Sequence, residues 1–113
     1  MQTDSQAAFR ALADPTRRQI LMHLAEREMT IGALVNEFAM TRAAVRKHLS
    51  ILQQGRLVSV RASGRERINS LEPAGLNELR NWLDYFDRYW DDKLERLASV
   101  IEAESPSGAP EDD

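Results

Sequence analysis

Four short helices in quick succession, a basic β-hairpin and a long helix with an apolar seam predict a mainly α chain with a small β-hairpin wing. Three observations carry this reading. Apolar residues recur at helical spacing in several short stretches before residue 55. Two β-like runs, "LVSVRA" and "RERINSL", meet at Ser63-Gly64. From Pro73 onward, leucines and aromatics repeat at intervals of three and four, with no breaker before Ser105-Pro106.

The elements follow in order. Thr3 or Asp4 can cap a first helix, "SQAAFRALA", with Ala8, Phe9 and Leu12 on one side. Asp14-Pro15 interrupts it and restarts the chain as a second helix, with Asp14 as N-cap and Pro15 in the first turn. Ile20, Leu21 and Leu24 form the inward stripe of that helix. Thr30 caps a short third helix with Ile31, Leu34, Val35 and Phe38 inward. After the break "AMT", Thr41 caps a fourth helix reaching about Gln54, with Val45, Leu49 and Leu52 buried and Gly55 just past its end. Short helices joined by short breaks and followed by a hairpin suit a winged helix-turn-helix.

The length of 113 residues fits one domain, expected over residues 1–104. The end from Ser105 is rich in Pro, Gly and Ser and acidic, and is expected to be a disordered tail over residues 105–113. There is no cysteine, which removes disulfides, Cys-based zinc sites and thiol nucleophiles and fits a reducing cytoplasmic setting. No apolar run is long enough for a signal peptide or a membrane span, so no membrane partner is expected. No Ser/His/Asp set, phosphate-binding loop or metal-ligand pair is present, so neither an enzyme nor a cofactor or metal site is expected.

The net charge of −3 hides an asymmetry. Residues 1–41 hold 4 basic and 5 acidic side chains, and residues 72–113 hold 4 and 12. Between them, residues 42–71 hold 7 cations against the single acid Glu66. Ordinary surfaces mix both signs. Local potential, rather than net charge, decides what a surface attracts, so the middle third suits a polyanion. With Val45, Leu49 and Leu52 inward, the opposite face of the fourth helix carries Arg42, Ala43, Arg46, Lys47 and Ser50. Thr41 and the free N–H groups behind it can hold a phosphate. Arg61, Arg65 and Arg67 surround the hairpin tip. Together these nine residues form the expected surface for double-stranded DNA, with base edges read in the major groove from the helix.

In the last helix, Leu76, Leu79, Leu83, Phe86, Trp90, Leu94, Leu97 and Ile101 are spaced 3, 4, 3, 4, 4, 3, 4. Thirty residues of helix span roughly 45 Å, longer than a domain of this size. The first half is expected to pack on the chain's own core. The second half is left for another copy, with Phe9 and Leu12 of the first helix completing a homodimer interface with Phe86, Trp90, Leu94, Leu97 and Ile101. The alternative for the aromatics Trp82, Tyr85 and Tyr89 is a pocket for an unknown small-molecule effector.

"ALADPTRRQIL", "TRAAVRKHLSILQQGRLV" and "SGRERINSL" together resemble the ArsR/SmtB winged-helix regulators, over about residues 5–100. The resemblance implies a homodimeric transcription factor of bacteria or archaea that binds a palindromic operator, usually to repress, with a long C-terminal dimerisation helix. It also implies a departure. The founding members sense metals through cysteine pairs in the region matching "ALVNEFAM", which here has no thiol, and others use Asp and His pairs on the last helix, which here has no His. The only histidines, His23 and His48, lie on separate helices. His23 is expected on a helix surface or interface, and His48 is expected to support the fourth helix or to touch DNA. A protein-interaction adaptor built on the same fold is the other functional class, and the clustered cations argue against it.

Overall fold

The computed structural model describes residues 3–104. The chain runs α1 (Thr3–Ala11), α2 (Pro15–Glu26), β1 (Met29–Thr30), α3 (Ile31–Phe38), α4 (Arg42–Gln54), β2 (Val58–Ser63), β3 (Glu66–Leu71), α5 (Pro73–Asp84) and α6 (Asp87–Glu104). The fold is a winged helix-turn-helix, with β2 and β3 as the wing. The tail over residues 105–113 lies outside the described residues.

The caps read from the sequence are in place. Asp14 accepts the Arg17 N–H at 3.0 Å with Pro15 in the first position of α2. Thr30 accepts from Ala33 and Thr41 from Ala44, each at 3.1 Å. Each satisfies one of the N–H groups that a helix start leaves unpaired. The first helix differs from expectation, because it already includes Thr3 and Asp4 and neither precedes it as a cap. Ala8 and Ala11 are its fully buried residues, whereas Phe9 is 40% exposed.

The core gathers Ile20, Leu21 and Leu24 of α2, Leu34 of α3, Val45, Leu49 and Leu52 of α4, and Leu57, Val58 and Leu79. Ile31, Val35 and Phe38 pack around it, as their spacing on α3 requires.

The sheet has the order β1-β3-β2, all antiparallel. Two residues escape a sequence-only search for strands, and so β1 was not expected. It pairs Met29 with Asn69 and Thr30 with Ile68. Asn69, buried in the middle strand, donates its Nδ2 to the Met29 carbonyl at 3.1 Å and so ties the wing to the residue before the α3 cap. The hairpin closes between Ser63 and Glu66 with Gly64 at φ 63°, a left-handed turn that suits glycine.

Glycine is used differently at the end of α4. Gly55 has φ −81°, and Arg56 takes the left-handed conformation at φ 60°. Gly55 is therefore not the left-handed stop that its position suggests. It is needed for close approach: a Cβ there would lie 2.9 Å from the Ala7 carbonyl oxygen and 3.0 Å from the Ala8 Cα. Gly75 meets the same corner from α5. Its N–H donates to the Arg56 carbonyl at 2.7 Å, and a Cβ would collide with the carbonyl oxygens of Gly55 and Arg56. Backbone thus packs directly on backbone where α1, the end of α4 and the start of α5 converge.

The helix expected to run unbroken from Pro73 is two helices, interrupted at Tyr85-Phe86. The Tyr85 and Phe86 N–H groups bond three residues back, to Trp82 and Leu83. That tightens the turn. The window "DYFD" combines Asp and aromatic residues, all from the weaker half of the helix scale. Phe86 then opens α6 by accepting the Trp90 N–H at 3.0 Å, with Asp87 in the first turn where the helix dipole favours an acid. The Phe86 ring sits edge-on to Trp82 and Tyr85, at 4.9 and 5.1 Å.

Residues up to Arg80 form one compact unit and those from Asn81 a second. In the first, Leu79 is buried. In the second, Trp90, Leu94, Leu97, Val100 and Ile101 are all more than half exposed. Gly75→Ala is expected to destabilise the fold by about 2–3 kcal/mol, since the added methyl meets carbonyl oxygens rather than flexible side chains. Urea denaturation followed by circular dichroism checks this, and an unchanged midpoint would contradict the close-approach account.

Candidate nucleic-acid interface

Burying Val45, Leu49 and Leu52 fixes the rotation of α4. At roughly 100° per residue, Arg42 and Arg46 fall about a quarter-turn from the buried stripe, on the side of the wing. Ala43 and Lys47 fall nearly opposite the stripe, with Ser50 beside them. All five are exposed. The exposed surface of α4 thus has two distinct edges rather than one uniform face.

The wing-facing edge forms a trough. Arg42 and Arg46 line one wall and Arg65, Glu66 and Arg67 the other, with Thr30, Ile31 and Gly32 at its α3 end. The trough continues past Arg46 and Arg67 along Ser50 and Gln53, over a floor of Ile31, Leu49 and Val60. Four guanidinium groups therefore face a space with one carboxylate. Among the described residues, none of Arg42, Arg46, Arg65 and Arg67 makes an ion pair.

Arg61 is placed differently from the other expected DNA-contacting residues. It pairs with Ile68 across the hairpin, one residue out of step with Val60 and Asn69, so the pleat turns its side chain to the other face of the sheet. There it donates to the Glu28 carboxylate at 2.9 Å. That hydrogen bond holds the Glu28 carboxyl below its usual range and raises Arg61. Arg61 is not brought into the trough.

The segment "ADPTRR" does a job that a charge count does not reveal. Arg17 folds back from α2 to the end of α1, with Nε donating to the Ala11 carbonyl at 2.7 Å and a terminal nitrogen to the Arg10 carbonyl at 3.1 Å. Arg18 donates to the Leu12 carbonyl at 2.6 Å. The Ala11 and Leu12 carbonyls stand at the end of the helix, where intrahelical partners run out and cations are favoured, whereas the Arg10 carbonyl also accepts the Ala13 N–H at 3.1 Å. The other Arg17 terminal nitrogen lies 3.5 Å from His48 Nδ1, an acceptor in that contact, so Arg17 also braces α4. His48 thus supports the recognition helix from behind. Asp14 beneath is held below the usual carboxylate range chiefly by the Arg17 N–H.

His23 lies on the exposed side of α2, with Nε2 3.3 Å from the Glu37 carboxylate and its ring against Phe38. Among the described residues no three His, Cys, Asp or Glu side chains are grouped to hold a metal ion. No described helix is long and apolar enough to cross a membrane.

A fourth helix braced from behind, a paired wing and a basic trough between them, without ion pairs among the described residues, define a winged-helix transcriptional regulator of the DNA-binding type. Residues 14–60 match the family described as bacterial regulatory protein, arsR family. The chain is 40% identical over 97 residues to the HTH-type transcriptional regulator Rv2034 of Mycobacterium tuberculosis, covering 86% of this chain and 88% of that one. It is 34% identical over 86 residues to the transcriptional repressor SdpR of Bacillus subtilis, covering 76% and 96%. Among solved structures, an ArsR family transcriptional regulator, RHA00566, superposes with a TM-score of 0.72 at 27% identity over 80% of this chain and 94% of that one. The chain belongs to the ArsR family of helix-turn-helix transcriptional regulators.

Arg17→Met keeps the stem and removes the donors to Arg10, Ala11 and His48. The expected cost is about 1–3 kcal/mol, because the Ala11 carbonyl and His48 lose their donor while the Arg10 carbonyl keeps only the Ala13 N–H. Thermal denaturation of Arg17→Met beside the parent measures it, and equal stability would mean that water replaces the guanidinium at no cost.

Proposed function

We propose that this regulator is a homodimeric repressor that binds a palindromic operator in double-stranded DNA, with no thiol-based metal sensing. The observation that carries the reading is the trough between α4 and the wing, whose four arginines make no ion pair among the described residues. A polyanion is the natural occupant of such a space, and a duplex backbone is a polyanion of matching scale. Thr41, Arg42, Ala43, Arg46, Lys47, Ser50, Arg65 and Arg67 are its contact residues, and Arg61 joins them only by leaving Glu28. The similarity to a transcriptional repressor over most of the chain supports repression.

The dimer rests on α6. Trp90, Leu94, Leu97 and Ile101 recur at four, three and four residues, and all are more than half exposed in the single chain. A stripe of that spacing matches a coiled-coil seam and is costly to leave in water. Phe9, also exposed, and Leu12 and Phe86, both half-buried, are the further interface candidates. Two-fold pairing would set two recognition helices about one helical turn of DNA apart, or a multiple of it, and hence a palindromic site.

Two measurements test this. Replacing both Leu94 and Leu97 with Glu should convert a dimer into a monomer in sedimentation at micromolar concentration, and a parent chain that already sediments as a monomer would remove the dimer from the proposal. Operator affinity should fall steeply with salt, with a slope corresponding to about 6–10 released counterions per dimer, and should be unchanged by zinc or by chelators. A salt-independent affinity would exclude the trough as the DNA surface, and release of DNA by stoichiometric metal would exclude the metal-independent reading.

A further inference from the structure

We infer a division of labour on α4, resting on the DNA-binding reading above: the edge facing the wing holds a track of backbone phosphates, and base reading falls to the outward crest of Ala43 and Lys47, with Ser50 at the margin between crest and trough. Arginine at Arg42 and Arg46 would ordinarily be the first choice for a base contact, because its fork fits guanine. Their position on the helix says otherwise.

Arg46 shares its trough with Arg67, and Arg42 shares it with Arg65. Cations on facing walls repel unless an anion lies between them. Glu66 is the trough's one acid, and none of the four arginines is ion-paired among the described residues. A phosphate between the walls relieves the repulsion from both sides at once. A guanidinium engaged in that way is turned toward the wing and away from the base edges. One strand of the duplex, passing between recognition helix and wing, supplies phosphates along the whole trough.

The crest has the opposite character. Ala43 ends at its Cβ, so the helix can approach the groove floor closely and meet a thymine methyl. Lys47 follows one turn later and points away from the core with no wall beside it, where a guanine O6/N7 edge is its natural partner. Ser50, which also borders the trough, ends the row and can donate or accept. Ala43 and Lys47 occupy the first half of α4, the part of a recognition helix that contacts bases, and Ser50 follows just past its middle. From Ala43 to Ser50 the helix rises roughly 10 Å, about three base-pair steps. Each half-site is therefore a core of about four base pairs, with a guanine opposite Lys47 and thymine favoured toward the Thr41 end.

The test starts from an operator enriched by in vitro selection with the full-length chain. Binding of the parent, Lys47→Ala, Arg46→Ala and Arg67→Ala is then measured on that operator, on its single-base variants, on scrambled duplex and on duplexes carrying neutral methylphosphonates at single positions. Lys47→Ala should lose roughly 10-fold to 100-fold on the operator, little on scrambled duplex, and all preference at one guanine per half-site. Arg46→Ala and Arg67→Ala should weaken operator and scrambled duplex by the same factor. One methylphosphonate that weakens the parent should leave both arginine variants unaffected, since they have already lost that contact. The inference is overturned if Arg46→Ala instead loses its preference at one base pair and stays sensitive to every methylphosphonate. Failure of the parent to enrich any sequence, or binding that ignores salt, would sink the DNA-binding reading itself.

Discussion

The buried stripe of α4 governs the interface. Val45, Leu49 and Leu52 are held in the core against α2 and α3, and a helix pinned along one side has no freedom to rotate. Every exposed position on α4 inherits its direction from that anchoring. The wing is then placed relative to the same helix by Asn69, whose amide ties the middle strand to the Met29 carbonyl. The trough between them is a consequence of packing as much as of charge: with α4 rotated by a quarter-turn, Arg42 and Arg46 would not face Arg65 and Arg67.

Stiffness behind the interface comes from polar groups doing work that the small core cannot. Arg17 bonds two carbonyls at the end of α1 and reaches His48 on α4, while Asp14 caps the helix that Arg17 belongs to. The glycines at 55 and 75 contribute by absence, letting backbone meet backbone where a methyl group would force the elements apart. A domain of this length buries a modest fraction of its surface, so close approach and satisfied helix ends matter more than they would in a larger protein.

Much of this was legible in the sequence because it is governed by local rules. The caps Asp14, Thr30 and Thr41, the stripe on α4 and the turn at Gly64 each follow from a few neighbouring residues. What was not legible depends on partners distant in sequence. Arg17 looks like any surface arginine until α1 and α4 are brought beside it. Arg61 looks like a wing cation until the pleat turns it toward Glu28, 33 residues earlier. Gly75 looks like a tolerated glycine until the end of α4 lies against it. The break at Tyr85-Phe86 is a different case. The 3-4 spacing of apolar residues continues through it, so periodicity reads one helix, while the weak helix propensity of "DYFD" marks the interruption. The site residues divided the same way: composition located the cations, and only the helix rotation separated those facing the wing from those facing outward.

The hairpin has one more property. Its two strands pair for six residues each and close through a two-residue tip, and a side chain added at Gly64 would meet nothing within 4 Å. The far end of the wing is therefore decoupled from the core. Lengthening each strand by two residues would extend it by roughly 7 Å without disturbing a buried contact. Wing length is thus a quantity that evolution or an engineer can adjust while α4 and its supports stay fixed, with Arg65 carried outward from its place opposite Arg42.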